Sequence, residues 1–186
     1  MDIKEAIYTR RSVREFTDQP VDKATVQALI QSAIQAPSAV NHQPWAFVVV
    51  QDKAILRSYS DRAKTLLAKT MNLTLIGLEL RNALADHTFN IFYNANTLII
   101  ICAKPLGAHP DWDCCLAAQN LMLAAHGMGL GTCPIGFAWP LLEEPDVKEH
   151  LRIPPEYRPI LPIIVGYPSK PTAAVPRTDS EILYWQ

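Results

Sequence analysis

Hydrophobic and polar residues recur along the chain with periods that predict helices in some segments and strands in others. Asp22 is a suitable N-cap, and the apolar residues that follow it return every three or four positions until Pro37, where a helix must stop. These apolar positions are Val26, Leu29, Ile30, Ala33 and Ile34. The same spacing after Asp2 predicts a short first helix.

Three segments rich in apolar and β-branched residues predict strands: residues 45–50, 97–103 and 159–168. The middle segment is apolar on both faces, which is typical of a strand in a sheet that is covered on both sides. Strands and helices do not alternate strictly along the chain. The pattern therefore predicts an α+β fold with helices around one sheet.

Two longer helical segments differ in how clearly they are patterned. Residues 112–128 are apolar on almost every side, which predicts a helix buried in the core or at a contact between subunits. Residues 54–85 also look helical but are less clearly organised. Their inward-facing candidates are Leu66, Leu67, Met71 and Leu75.

Composition and charge exclude several classes of protein. The 186 residues fit one domain, and 49% hydrophobic with 19% charged residues is ordinary for a soluble globular protein. A net charge of −1 gives no reason to expect nucleic acid or a membrane surface as partner. The longest apolar run is about seven residues, against roughly 20 for a transmembrane helix. The first residues lack the apolar core of a signal peptide, so we expect a cytoplasmic protein.

Motifs for hydrolysis and metal binding are missing from the sequence. No G-x-S-x-G, P-loop or H-E-x-x-H pattern occurs, and the five histidines have no metal-ligand spacing. We expect no metal site, no catalytic side chain, and cysteines that are small buried hydrophobes. The cysteines are Cys102, Cys114, Cys115 and Cys133. Any difficult chemistry is then expected to belong to a bound cofactor.

Three arginines crowd the segment TRRSVREF near the N-terminus. Arg10, Arg11 and Arg14 repel one another unless an anion lies between them, and Ser12 adds a neutral donor. One interpretation is a phosphate site, because guanidinium groups match phosphate oxygens bidentately. The other is a solvated basic turn at the end of a helix. The residues alone leave both open.

Glycines at 127, 129, 131 and 136 resemble a dinucleotide-binding loop but follow a helix instead of preceding one. That order rejects dinucleotide binding, since the pyrophosphate must lie on a helix N-terminus. A helix C-cap at Gly127 or Gly129 explains the pattern better. The following Pro134, Ile135 and Gly136 can still bring backbone against a flat ligand.

The segment APSAVNHQPWAF, residues 36–47, carries many hydrogen-bonding side chains for a short connection. Ser38, Asn41, His42 and Gln43 can serve a ligand, or they can satisfy the backbone of their own turn. The second interpretation suits any one residue and explains the whole set poorly. His42 is the one histidine considered for a substrate-facing role.

Four motifs together resemble the nitroreductase family of FMN-dependent oxidoreductases. They are RRSVREF, APSAVNHQPWAFVVV, AAQNLMLAAHGMGLGTCPIGF and the final VGYP…PR…ILYW, in family order over the whole chain. The resemblance implies one domain over residues 1–186 with a mostly antiparallel sheet. It also implies an intertwined homodimer with two non-covalent FMN sites at the subunit interface. Residues 54–90 would form a variable lid, and residues 170–186 an arm docked on the partner.

The resemblance also implies which residues bind FMN. Arg10, Ser12 and Arg177 would hold the phosphate with Arg11 beside them, and Arg14 would face N1 and O2 of the ring. The other subunit would supply a second set of residues to the ring and ribityl chain: Pro37, Ser38, Ala39, Asn41 and Gln43. The ring's remaining edge would lie along Pro134, Ile135 and Gly136.

The implied activity is a ping-pong reaction in which NADH or NADPH reduces FMN and a nitroaromatic, quinone or similar acceptor reoxidises it. The chain departs from the family pattern in two places. PIGF lacks the acidic residue that many members carry there, and Ala39 replaces a common serine. Two alternatives stay open. One is reductive dehalogenation or flavin fragmentation on the same scaffold, and the other is a flavin sensor without turnover.

Overall fold

Four strands form one antiparallel sheet in the computed structural model, which describes residues 1–70 and 77–186. The strands are β1 (Trp45–Val50), β2 (Thr97–Ala103), β3 (Gly131–Pro134) and β4 (Arg158–Gly166). They lie in the order β1-β2-β4-β3, and each neighbouring pair is antiparallel. The predicted α+β fold and its three strands are confirmed, and β3 adds a short fourth strand at one edge.

Seven α-helices cover the sheet within the described residues. They are α1 (Ile3–Thr9), α2 (Lys23–Ala33), α3 (Lys53–Thr70), α4 (Leu78–Ala85), α5 (Pro110–Gly127), α6 (Trp139–Leu142) and α7 (Pro145–His150). Both predicted N-caps are present. The Glu5 amide donates to the Asp2 carboxylate at 2.7 Å, and the Thr25 amide donates to Asp22 at 2.8 Å. A side-chain acceptor at each start satisfies an amide that has no partner within the helix.

The region predicted as a less organised helix contains both α3 and α4. Leu67 is buried as predicted, and Leu66 packs at the edge of the same core. Met71 and Leu75, the other two inward-facing candidates, lie outside the described residues. So does the corresponding part of the predicted lid, residues 54–90.

The middle strand β2 separates two apolar cores. Alternate side chains point to opposite faces of a strand, so Ile99 and Ile101 pack with α2 and α5 while Leu98 and Ile100 pack with α3 and α6. These four side chains have no exposed surface. The molecule therefore has three layers, with the sheet between two sets of helices. No helix of the described chain is long and apolar enough to cross a membrane.

Helix α5 ends in a turn that depends on Gly129. This glycine has a φ of +76°, its amide donates to His126 O at 3.0 Å, and the Leu130 amide donates to Ala125 O at 2.8 Å. The pair of bonds is a Schellman motif, which needs a residue in the left-handed region. The predicted C-cap is confirmed at Gly129, and the chain turns directly into β3.

The arginine-rich segment after α1 lies against β3. Ser12 forms a parallel bridge with Thr132, and the Val13 amide donates to Thr132 O at 2.9 Å. Val13 reaches this position because Gly131 has no side chain: a Cβ there would lie 2.7 Å from two Val13 carbons. The glycine thus allows the close approach that fixes the arginines beside the sheet.

Replacing Gly131 with alanine should lower the free energy of unfolding by about 1–3 kcal/mol, because the added methyl group overlaps Val13. Denaturant unfolding at fixed protein concentration measures this change. Gly127→Ala is the matched control, since no atom lies within 4 Å of its Cβ position. Alanine in that helix should be neutral or stabilising. Equal effects of the two substitutions would contradict the proposed packing.

Candidate functional site

Arg10, Arg11 and Arg177 form a group of cations beside the C-terminus of α1. Arg10 is partly buried, and its pKa lies below the ordinary value because of burial first, and then because of Arg11 and Arg177. Arg177 belongs to the chain after β4, so the fold brings it back to the N-terminal motif. Like charges gathered in a partly buried place favour an anion between them.

Two buried donor atoms in this group have no hydrogen-bond partner within the described residues: Nη1 of Arg10 and Nε of Arg11. Unpaired buried donors are rare in proteins because each one loses its hydration without replacement. Another nitrogen of Arg11 does have partners: its Nη1 donates to Tyr8 O and to Arg10 O, at 2.8 Å each. Arg11 therefore closes the end of α1, while Arg10 presents a free donor of the kind a phosphate accepts.

Residues of the arginine-rich segment lie close to Cys133, near the end of β3. Burial raises the pKa of its thiol, and the opposing influences come from Arg14, a hydrogen bond with Ser12, and Arg10. Arg10, Ser12 and Arg14, which are predicted to contact the phosphate and the ring, thus lie close together near Pro134.

The predicted residues after β3 differ in how they can contact a ligand. Gly136 is exposed, and no atom lies within 4 Å of its Cβ position. Ile135 has its side chain buried, and its amide donates to Pro162 O at 2.8 Å. The Ile135 carbonyl accepts from the Ala138 amide at 3.1 Å, so both backbone groups of Ile135 are engaged, whereas Gly136 leaves open space beside its backbone.

The segment of residues 37–43, here called the polar loop, has an unusual backbone. Val40, Asn41 and Gln43 have φ values of +51°, +57° and +48°. A β-branched residue is rarely left-handed, and Val40 is also 90% exposed. Such strain persists only where the surroundings enforce it, and it is concentrated at functional sites.

Hydrogen bonds inside the polar loop support part of the interpretation in which its side chains satisfy the backbone of their own turn. Ser38 Oγ accepts from the Gln43 amide, and Gln43 Nε2 donates to Asn41 Oδ1, both at 3.0 Å. The side chains keep further capacity, since the Ser38 hydroxyl hydrogen, the Asn41 amide nitrogen and the Gln43 oxygen are not used in these bonds. The loop is ordered by its own side chains and still offers polar groups outward.

Asp113 on α5 anchors the backbone of the polar loop. The Ala39 amide lies 3.3 Å from both carboxylate oxygens, and Asp113 is only 7% exposed. His42 packs over Gly107, where a Cβ would lie 3.0 Å from the imidazole Cδ2. His42 thus has a packing role. Sequence analysis missed Asp113, because a single carboxylate in a helix gives no spacing signal.

Helix α5 separates the polar loop from the arginine group. The loop is attached to Asp113 near the start of α5, whereas Thr9 of α1 hydrogen-bonds His126 near its end, with 2.8 Å between Oγ1 and Nε2. Asp113 and His126 are thirteen residues apart, which is about 20 Å along a helix. Within one chain the predicted site residues therefore form two groups.

The cysteines follow the prediction with one exception. Cys102, Cys114 and Cys133 are buried, and burial raises the pKa of Cys102 and of Cys114 to about 12. Cys115 is exposed, so its predicted burial is wrong: the face of α5 that carries it is not covered by its own chain. In the part of the chain that the structure describes, no group of His, Cys, Asp and Glu could hold a metal ion.

Comparison with known proteins gives consistent matches along the chain. The model of the nitroreductase family matches residues 7–167. A Methanothermobacter thermautotrophicus protein, provisionally named NADH dehydrogenase/NAD(P)H nitroreductase, is 30% identical over 174 residues, which cover 91% of this chain and 79% of that protein. The FMN reductase [NAD(P)H] of Bacillus subtilis is 26% identical over 196 residues, covering 100% of this chain and 73% of its own.

The fold also matches solved structures. A nitroreductase from Bacteroides fragilis, crystallised with bound FMN, superposes with a TM-score of 0.83 over 100% of this chain and 98% of that one. The two sequences are 24% identical, so this likeness concerns the fold.

Proposed function

Because the chain belongs to the nitroreductase family, we propose that it is an FMN-dependent NAD(P)H oxidoreductase that reduces nitroaromatics, quinones or related acceptors. The observation that carries the proposal is the partly buried Arg10, whose Nη1 has no partner among the described residues while Arg11 and Arg177 lie beside it. A dianionic phosphate satisfies both the unpaired donor and the excess of positive charge.

The phosphate of FMN is held by Arg10, Arg177 and Ser12 in this proposal. The two guanidinium groups come from opposite ends of the chain and are near enough for Arg177 to lower the pKa of Arg10. Bringing two cations together without an anion is unfavourable, so the folded chain is prepared for the ligand at some expense of its own stability. Arg11 contributes its Nε beside them.

The flavin ring is placed next to the end of β3. Arg14 is exposed and near Cys133, which suits it to face N1 and O2 of the ring, where reduction accumulates negative charge. Pro134, Ile135 and Gly136 lie along the next edge, where the open space beside Gly136 lets the backbone approach the ring.

The polar loop serves the FMN bound by the partner subunit. Its attachment to Asp113, about 20 Å along α5 from His126, supports this arrangement, since the loop and the arginines of one chain lie toward opposite ends of that helix. In a homodimer the partner's loop approaches the arginines. The backbone of residues 37–41 and the side chains of Asn41 and Gln43 then contact the ring and ribityl chain.

Exposed apolar side chains support the homodimer. Ten large ones that are between 47% and 88% exposed lie on α1, on α5 and in the C-terminal arm: Ile3, Ile7, Tyr8, Trp112, Leu116, Val175, Ile182, Leu183, Tyr184 and Trp185. Apolar surface of this extent marks a contact with another molecule. In our proposal residues 170–186 dock on the partner and residues 54–90 form the lid that selects the acceptor.

FMN, when bound, takes two electrons from NADH or NADPH and delivers them to the acceptor. The protein's residues bind and orient: the arginines fix the phosphate, and Arg14 stabilises the charge that reduction places on the ring. No side chain acts as acid or base in this scheme, because the transfer depends on stacking geometry. The nicotinamide and the acceptor use the same face in turn, which gives ping-pong kinetics.

Mixing two variant chains tests whether each FMN site is formed by residues of both subunits, here called the shared site. The chain Arg10→Ala/Arg177→Ala lacks the phosphate contacts, and Ala39→Trp blocks the ring with a side chain that its own exposed position accommodates. Each homodimer should bind FMN at least about 100-fold more weakly than the unmodified protein. Refolding the two together should restore about one quarter of the sites, because half of the dimers carry one intact site.

Ultrafiltration with free FMN measures the number of tight sites. Lys23→Ala, which removes an exposed lysine on α2, is the control for removing positive charge away from the site and should bind FMN normally. A mixture that binds no more FMN than its parents would overturn the shared site.

Anaerobic reduction tests the enzymatic function. One equivalent of NADPH, and in a second sample NADH, should bleach the yellow FMN-loaded protein with at least one of the two nucleotides. A nitroaromatic or quinone added afterwards should restore the colour, because the two half-reactions are separate. The Arg10→Ala/Arg177→Ala chain with the same FMN is the control. A protein that binds FMN and stays yellow with both nucleotides would be a flavin sensor instead.

A further inference from the structure

The turn before β2 is built around a buried asparagine that no motif identified. Asn90 is 7% exposed, its Oδ1 accepts from the Phe92 amide at 2.9 Å, and its Nδ2 donates to Asn94 Oδ1 at 3.1 Å. The Tyr93 amide donates to Asn90 O at 2.8 Å. One side chain thus fixes the backbone of the whole turn.

The turn holds two consecutive residues in the left-handed region. Tyr93 has a φ of +52° and Asn94 a φ of +55°. Asparagine tolerates this conformation, but a bulky aromatic residue rarely adopts it. Because the bonds of Asn90 enforce the conformation, the strain points to a requirement on where the Tyr93 side chain goes.

The start of this turn is also anchored to α3. The buried ammonium group of Lys64 donates to Phe89 O at 2.7 Å and to Asp86 O at 3.1 Å. The Phe89 ring meets Tyr93 edge-on, with 5.5 Å between centroids and 82° between planes. Tyr93 is therefore held by its backbone and by its ring.

The ring of Tyr93 lies beside the guanidinium group of Arg14, with 5.8 Å from Cζ to the ring centroid. The negative face of an aromatic ring attracts a cation at this distance. Arg14 is exposed, and a long exposed side chain otherwise moves among many rotamers. Contact with a fixed ring restricts it to fewer positions.

We propose that Tyr93 is a positioning residue that holds Arg14 toward N1 and O2 of FMN, and that it thereby raises the flavin's midpoint potential. The proposal rests on the FMN site described above. A fixed guanidinium stabilises the negative charge of the reduced ring more than a mobile one, since the orientation is already set before reduction. Tyr93 acts through Arg14 and does not touch the reacting atoms.

A double-mutant cycle on the FMN-loaded protein tests the proposal. Tyr93→Leu should shift the equilibrium about fivefold toward oxidised FMN, which lowers the midpoint potential by about 20 mV for a two-electron couple. Tyr93→Phe keeps the ring and should leave the potential unchanged. In an Arg14→Leu background, Tyr93→Leu should have no further effect, because the residue it positions is gone.

Anaerobic titration against a dye of known potential gives each value, with FMN in excess so that every site is filled. If Tyr93→Leu does not fold, pentafluorophenylalanine at position 93 keeps the ring's size and removes its negative face, and should lower the potential by a similar amount. An unchanged potential, or a shift that persists without Arg14, overturns the role of Tyr93. Absence of FMN binding in the unmodified protein overturns the proposed function itself.

Discussion

A partly buried cation needs a counter-charge, and the fold surrounds Arg10 with further arginines instead. Its Nη1 has no partner within the described residues, and burial, then Arg11 and Arg177, lower its pKa. Several features of the chain serve this arrangement. Gly131 lets Val13 approach β3, and the bridge from Ser12 to Thr132 fixes the segment between the arginines. These features place the arginine group beside the end of β3.

Helix α5 connects this site to the proposed dimer. One chain's polar loop is bound near the start of the helix and its arginine group near the end. In our proposal a single chain therefore holds two half-sites, and a two-fold partner completes both of them. The same proposal gives a role to Trp112 and Leu116, which are exposed on α5 beside the exposed Cys115. Ligand binding and dimer formation depend on each other in this proposal.

Local sequence patterns predicted the helices and strands well, but they did not predict contacts between distant segments. The caps at Asp2 and Asp22, the bounds of β1 and β2 and the turn at Gly129 each follow from a few neighbouring residues. Asp113 bonds a residue 74 positions away, and the ring of Tyr93 lies beside the guanidinium group of Arg14 although the two residues are distant in the sequence. Neither of these contacts produces a periodic pattern in the sequence. The exposure of Cys115 has a related explanation, since the apolar pattern of α5 does not show which of its faces the rest of the chain covers.

A crystal structure of the protein grown with FMN tests the shared site most directly. Our account predicts a dimer in which phosphate oxygens lie within hydrogen-bonding distance of Arg10 Nη1 and of Arg177. The polar loop over the same flavin ring should come from the partner subunit. A phosphate bound away from Arg10, or a flavin held by the arginines and the polar loop of one chain, would contradict it.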